Sequence, residues 1–172
     1  MKKTIAIAFA LLLAPALALA QKTDNASHGE GYFFAGLSMA GPSSVVSINP
    51  DGKNLGFGGD VFIFKGVGAE AEAGYATGNN HAAVGPGTLD LSYHFISRSR
   101  QSKFEPFASG GYSIYYGHRG TSGGYNLGGG INYWVIKHMA LRFEIRDYTH
   151  IGNMQFLGAG QFAAFRAGVT FR

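Results

Sequence analysis

Between positions 139 and 148 apolar and polar residues alternate strictly, with Leu141, Phe143 and Ile145 on one side and Arg142, Glu144 and Arg146 on the other. A period of two belongs to a β-strand, whose successive side chains point to opposite faces. The pattern recurs along the chain and predicts eight strands, at 31–39, 54–64, 67–76, 86–95, 104–116, 125–135, 139–148 and 161–171. The connections fall into two alternating sets. Those at 65–66, 96–103 and 136–138 are short or basic, whereas the other set is 40–53, 77–85, 117–124 and 149–160.

One face of these strands is apolar and is built from residues such as Phe33, Leu37, Leu55, Ile63, Leu89, Leu127, Phe143, Ile145 and Phe165. The other carries Asp60, Glu70, Glu72, Asp90, Glu105, Arg142, Glu144, Arg146 and Arg166 among Gly, Ser, Thr and Asn. Alternation alone does not say which face is inside, because a lipocalin-like soluble barrel has an apolar lumen and a polar exterior. Lysine placement favours the opposite arrangement. Lys22, Lys53, Lys65, Lys103 and Lys137 all fall in the tail, loops or turns, so the expected outer strand faces lack the charges that a water-facing sheet carries. If Arg142, Arg146 and Arg166 faced lipid they would cost about 2–4 kcal/mol each at the membrane midplane, so a membrane barrel must hold them inside. The reading is an all-β fold: an eight-stranded antiparallel, up-and-down transmembrane β-barrel with a polar interior.

Its lumen would be just wide enough to fill with side chains, and the nine charged residues are expected there as a paired structural network. The acids outnumber the arginines, and His94 or water could take up the excess. Aromatic residues near strand ends suggest two interfacial girdles. Tyr32, Phe33, Tyr93, Phe95, Tyr133, Trp134 and Phe171 would form one, and Tyr75, Tyr115, Tyr116, Tyr125 and Tyr148 the other. On this substitution logic Phe143→Arg should abolish assembly, whereas Glu144→Gln should be tolerated with modest destabilisation.

The first twenty residues have a separate pattern. Lys2 and Lys3 precede an Ala/Leu/Ile run, and Ala18-Leu19-Ala20 before Gln21 forms a small-x-small site, which together read as a cleavable secretory signal peptide at 1–20. A polar tail at 21–30 and a barrel at 31–172 complete the expected organisation. The chain has no cysteine, which excludes disulfides, thiolate chemistry and an acylated N-terminal cysteine. Its 14 basic residues include Lys2 and Lys3 of the leader, so the remainder nearly balance the 10 acids and give no reason to expect a nucleic acid partner.

The runs Phe104-Glu105-Pro106-Phe107-Ala108-Ser109-Gly110-Gly111-Tyr112, Asn126-Leu127-Gly128-Gly129-Gly130-Ile131-Asn132-Tyr133-Trp134 and Leu141-Arg142-Phe143-Glu144-Ile145-Arg146-Asp147 resemble the last strands of the outer-membrane β-barrel domain family. The resemblance is to its small eight-stranded group of OmpA-like and OmpX-like barrels. It implies an integral outer-membrane protein of a Gram-negative cell envelope, with both barrel termini and the short turns on the periplasmic side. Phe165 to Phe171 is similar to the terminal signal read by barrel-assembly machinery, although Arg172 follows where the family commonly ends in an aromatic. The expected partners are outer-membrane lipid, lipopolysaccharide and that machinery, and the expected state is a monomer.

Enzymatic chemistry has one foothold. Thr149-His150-Ile151-Gly152-Asn153 resembles the H-x-S-N segment of outer-membrane lipid A deacylases, but Gly152 stands at the nucleophile position, and without a hydroxyl there is nothing for a histidine to activate. His28, His81, His94, His118, His138 and His150 show no paired ligand spacing, and the glycine runs lack the Lys-Ser/Thr of a phosphate loop. No catalytic, cofactor-binding or metal-binding residue is assigned, and no cofactor is expected. The functional expectation is a non-enzymatic envelope or surface-interaction barrel. A narrow pore for ions or small solutes is the alternative, ahead of a lipid A-modifying enzyme and a soluble lipocalin-like carrier.

Overall fold

The wall is continuous. The structure is a computed structural model that describes residues 29–40, 52–77, 83–95, 103–117, 120–151 and 161–172. Its strands β1 (Gly29–Ala40), β2 (Gly52–Phe64), β3 (Val67–Thr77), β4 (Ala83–His94), β5 (Phe104–Gly117), β6 (Gly120–Ile136), β7 (Met139–Ile151) and β8 (Gln161–Phe171) form a closed antiparallel barrel. Each strand pairs with the next in sequence, and β1 pairs with β8 from Gly31 opposite Phe171 to Ala40 opposite Phe162. Closure leaves no unpaired sheet edge, and every strand can therefore cross an apolar medium with its backbone groups satisfied.

The expected strands are all present; β2 begins two residues earlier than expected, at Gly52, β4 three earlier, at Ala83, and β7 runs three further, to Ile151, and two other boundaries differ instructively. β1 begins at Gly29, so Glu30 belongs to the wall and not to the tail. β6 begins at Gly120, and Gly117 pairs with Gly120, so most of the expected 117–124 loop is hairpin ladder. Gly123 and Gly124 have low strand preference, but the run Thr121, Ser122, Gly123, Gly124 is paired with Tyr116, Tyr115, Ile114 and Ser113 of β5. The Tyr112 ring covers Gly123 and supplies the packing that the glycine lacks. At the opposite end Lys65 (φ 41°) and Gly66 (φ 87°) join β2 to β3 in a two-residue turn whose positive angles match the twist of the strands.

Side-chain direction follows the alternation. Phe143 is 51% exposed on the outer wall while its neighbour Glu144 is 4% exposed in the lumen. Ile63, Leu89, Leu91 and Leu127 are each more than two thirds exposed, which gives the barrel an apolar exterior larger than a water-facing monomer keeps. Lys65 and Lys137 lie in turns and Lys103 precedes β5, but Lys53 lies within β2, second from its start, facing outward at the rim.

Four aromatic residues expected in the girdles are in the lumen instead: Tyr32, Trp134, Tyr115 and Tyr148 are no more than 7% exposed. The strand phase requires this, since Tyr32 follows inward Glu30, Trp134 follows inward Asn132 and Tyr148 follows inward Arg146. Phe33, Tyr93, Phe95, Phe171, Tyr75, Tyr116 and Tyr125 remain outside.

Candidate functional site

The barrel interior holds the polar chemistry of the molecule. Midway along it, Arg146 on β7 reaches across to Glu70 on β3 and to Asp90 Oδ2 on β4 at 2.6 Å, while its Nε donates to Glu144 Oε1 at 2.7 Å. Ser109 Oγ accepts a further bond from Arg146 at 2.9 Å. Arg166 on β8 binds Glu72 Oε1 at 2.7 Å and Glu144 Oε1 at 2.6 Å. Arg142 donates from Nε to Glu144 Oε2 at 3.0 Å. Glu144 thus accepts from three arginines.

Aromatic rings complete the solvation of these cations. The Arg142 guanidinium lies between the Tyr32 ring at 4.1 Å and the Phe107 ring at 3.8 Å, and that of Arg166 lies 4.0 Å from Phe34. A planar, weakly hydrated guanidinium suits both carboxylates and π faces, which makes Arg the cation that can be buried here. Small residues provide the room. A Cβ at Gly128 would sit 3.0 Å from Arg146 Nε and 3.1 Å from Glu144 Oε1.

Above this layer, toward the end with the longer connections, Tyr148 stacks on Phe162 at 4.7 Å, and Tyr115 meets both rings edge-on. The Tyr148 hydroxyl donates to Glu72 Oε1 at 3.3 Å and accepts from Arg166 Nη1 at 3.1 Å. The aromatic layer is therefore bonded to the charged one.

At the short-turn end a second polar cluster closes the lumen. His94, the last residue of β4, places Nε2 3.1 Å from Asp60 Oδ2 and Nδ1 2.9 Å from Glu105 Oε1. Both ring nitrogens face acceptors, so the ring can satisfy both only as an imidazolium. Trp134 Nε1 donates to Glu105 Oε2 at 3.1 Å, and Arg172 stacks 3.6 Å above the Trp134 ring with Nη1 3.5 Å from Glu105 and 3.8 Å from Glu30. His94 stacks on Phe107, linking this cluster to the ring that also packs on Arg142.

Of the nine residues expected inside, Glu70, Glu72, Asp90, Arg142, Glu144, Arg146 and Arg166 meet in the middle layer, and Asp60 and Glu105 lie in the lower cluster. The sequence reading left out Glu30, and it placed Tyr32, Tyr115, Tyr148 and Trp134 outside. The phase of the alternation was the available signal for all five. The side chains of His81, His118 and His150 fall outside the described residues, as do Gly152 and Asn153 of the deacylase-like segment. Among the described residues, Glu30, His94 and Glu105 form a group with metal-ligand spacing, drawn from three strands.

The comparisons agree with this architecture. The barrel is similar to the crystal structure of Neisserial surface protein A (NspA), with 18% identity and a TM-score of 0.68 over 86% of this chain and 99% of that one. It is also similar to the N-terminal β-barrel domain of Pseudomonas aeruginosa OprF, with 18% identity and a TM-score of 0.58 over 83% and 95% of the two chains. A de novo designed transmembrane β-barrel gives 14% identity and a TM-score of 0.52 over 87% and 98%. No curated protein sequence matches. These likenesses speak for the fold, and the family is settled by sequence. With residues 5–172 matching the outer membrane protein beta-barrel domain, and with an apolar wall enclosing a charged lumen, the chain belongs to that family as a protein of the Gram-negative outer membrane.

Proposed function

We propose that this chain is a structural, non-enzymatic barrel of the outer membrane whose lumen does not conduct. The observation that carries the reading is Arg146, which joins β7 to Glu70 on β3 and Asp90 on β4 and so crosses the space an ion would have to use. Its bonds are charge-assisted and lie in a lumen with 0% side-chain exposure at all three partners, where opening them would strip buried charges of their counterions. With Tyr115, Tyr148 and Phe162 above and the His94 cluster below, three successive layers fill the axis.

The test is single-channel recording of the purified barrel in planar bilayers. Long silent recordings are the expected result, and reproducible unitary steps would overturn the reading in favour of a narrow pore. The pore reading draws on one feature, the surplus of carboxylates over arginines along the lumen, which would select for cations. A lipid A-modifying role would show as altered lipid A mass on overexpression, and none is expected.

On this reading the protein is exported by residues 1–20, and the mature chain begins at Gln21, which N-terminal sequencing checks. The short-turn end faces the periplasm, β8 is the strand read by the assembly machinery, and the outer wall contacts lipid and lipopolysaccharide as a monomer.

A further inference from the structure

The group at the short-turn end differs from the middle layer in one respect. Every carboxylate of the middle layer is bonded to an arginine, whereas Asp60 Oδ1 and Glu30 Oε1 are buried with no hydrogen-bond partner, Glu30 Oε1 having only a 3.8 Å ion pair with Arg172. Ser92 Oγ is a third such atom, and it converges with Asp60 Oδ1 on the space over Gly68, which a Cβ would fill. The ligand atoms of Glu30, His94 and Glu105 lie within 4.8 Å of one another. We propose that this cluster is a binding site for a divalent transition-metal cation of the zinc type, with Glu30, His94 Nδ1 and Glu105 as ligands.

One imidazole nitrogen and two carboxylates are a donor set that suits such a cation, and nitrogen disfavours Ca²⁺ and Mg²⁺, which take oxygen. The outer partner is already in place. Asp60 Oδ2 accepts from His94 Nε2, so that loss of the Nδ1 proton would leave a lone pair on the ring nitrogen 2.9 Å from Glu105, the carboxylate–histidine–metal arrangement. Charge favours the same conclusion. Glu30, Asp60 and Glu105 pair directly with two cations, imidazolium His94 and Arg172, with Arg142 of the middle layer acting on Glu30 from further away, so the three acids outnumber their direct cationic partners by one. A dication replacing the Nδ1 proton, which leaves to solvent, makes the cluster neutral with Arg172 in place. Access is through Arg172, whose side chain is 33% exposed and forms the outer cover of the site.

The chain's single tryptophan reports on the site, because Trp134 bonds to Glu105 and stacks under Arg172. The experiment is a Zn²⁺ titration of the folded full-length protein in detergent, followed by Trp134 fluorescence, with Ca²⁺ as the control ion. The expected result is a saturable one-to-one change at micromolar Zn²⁺ and none with Ca²⁺. Glu30→Gln should weaken binding at least tenfold. Arg172→Ala, which removes a competing positive charge, should tighten it several-fold. His94→Gln should abolish binding, and Glu30→Gln serves if that variant does not fold, since Glu30 Oε1 has no hydrogen bond to lose. No saturable change up to millimolar Zn²⁺ would overturn the proposal, as would binding unaltered by Glu30→Gln, which would assign the metal to exposed groups such as His138.

Discussion

The guanidinium of Arg146 and the carboxylate of Glu70 are hydrogen-bonded across the lumen from β7 to β3, four strands apart by either route around the wall. The pair fastens opposite walls to each other, and both partners are completely buried. Removing one partner of such a pair leaves the other charged and dry, at a cost of about 3–5 kcal/mol. Arg146→Met should therefore lower stability by about that amount in urea unfolding of the barrel in lipid vesicles, read by circular dichroism. Glu70→Gln combined with Arg146→Met should cost clearly less than the sum of the two single changes, because the second change removes a charge that the first stranded. Additive losses would mean that the two side chains do not interact in the membrane.

Glu144 and Phe143 test the two sides of the same wall. Phe143 faces outward, so Phe143→Arg places a charge against lipid at a cost of about 2–4 kcal/mol and should prevent the boiling-dependent gel shift typical of closed membrane barrels. The sequence suggested that Glu144→Gln would be mild. The structure revises this, since the carboxylate accepts from Arg142, Arg146 and Arg166 together. Loss of its charge should cost about 3–5 kcal/mol, comparable to Arg146→Met. A Glu144→Gln barrel as stable as the parent would show that water or a neighbouring acid compensates the arginines.

The two faces were legible because a strand buried on one side writes its burial into every second position, and Leu141 to Arg146 do so without exception. The pairing inside was not. Which arginine meets which acid depends on strand stagger and on contacts such as Glu72 to Arg166, 94 residues apart, which no local spacing encodes. The buried aromatics were misplaced for a different reason. Tyr and Trp carry both an apolar ring and a polar tip, so Trp134 is equally suited to a headgroup girdle and to a lumen where Glu105 accepts its N–H. Only the strand phase separates the two. Glu30 was hidden by its polar neighbours in the tail, because the ladder with Asp60 of β2 begins before the apolar pattern does.

Phe107 links the two polar clusters, lying 3.8 Å from the Arg142 guanidinium and stacking on the His94 ring at 5.5 Å. Phe107→Leu keeps an apolar side chain but removes the π face from both cations. A desolvated cation–π contact is worth about 2 kcal/mol, so a loss of about 2–3 kcal/mol in urea unfolding is expected. Phe33→Leu, on the outer wall, is the control and should change stability by less than about 1.5 kcal/mol. Equal losses would assign the Phe107 effect to volume alone.

Gly58 separates the demands of the lumen from those of the strand. Valine is the better strand former, and by propensity alone Gly58→Val should stabilise β2. The Tyr32 ring, however, lies directly over Gly58, so that an added Cβ would be 2.5 Å from Tyr32 Cζ and 2.9 Å from the Ala71 carbonyl oxygen. The ring would have to leave the face of Arg142, which it shares with Phe107. Overpacking of this kind costs about 1–3 kcal/mol. Gly87, on the outward face of β4, has only ordinary contacts for a Cβ, with 3.8 Å to the nearest atom. Gly87→Val should be neutral or stabilising by up to about 1 kcal/mol. Opposite signs for the two glycines in urea unfolding are the expected result. Stabilisation at both would mean that Tyr32 can move without loss, and that the aromatic packing of Arg142 contributes little to holding the lumen closed.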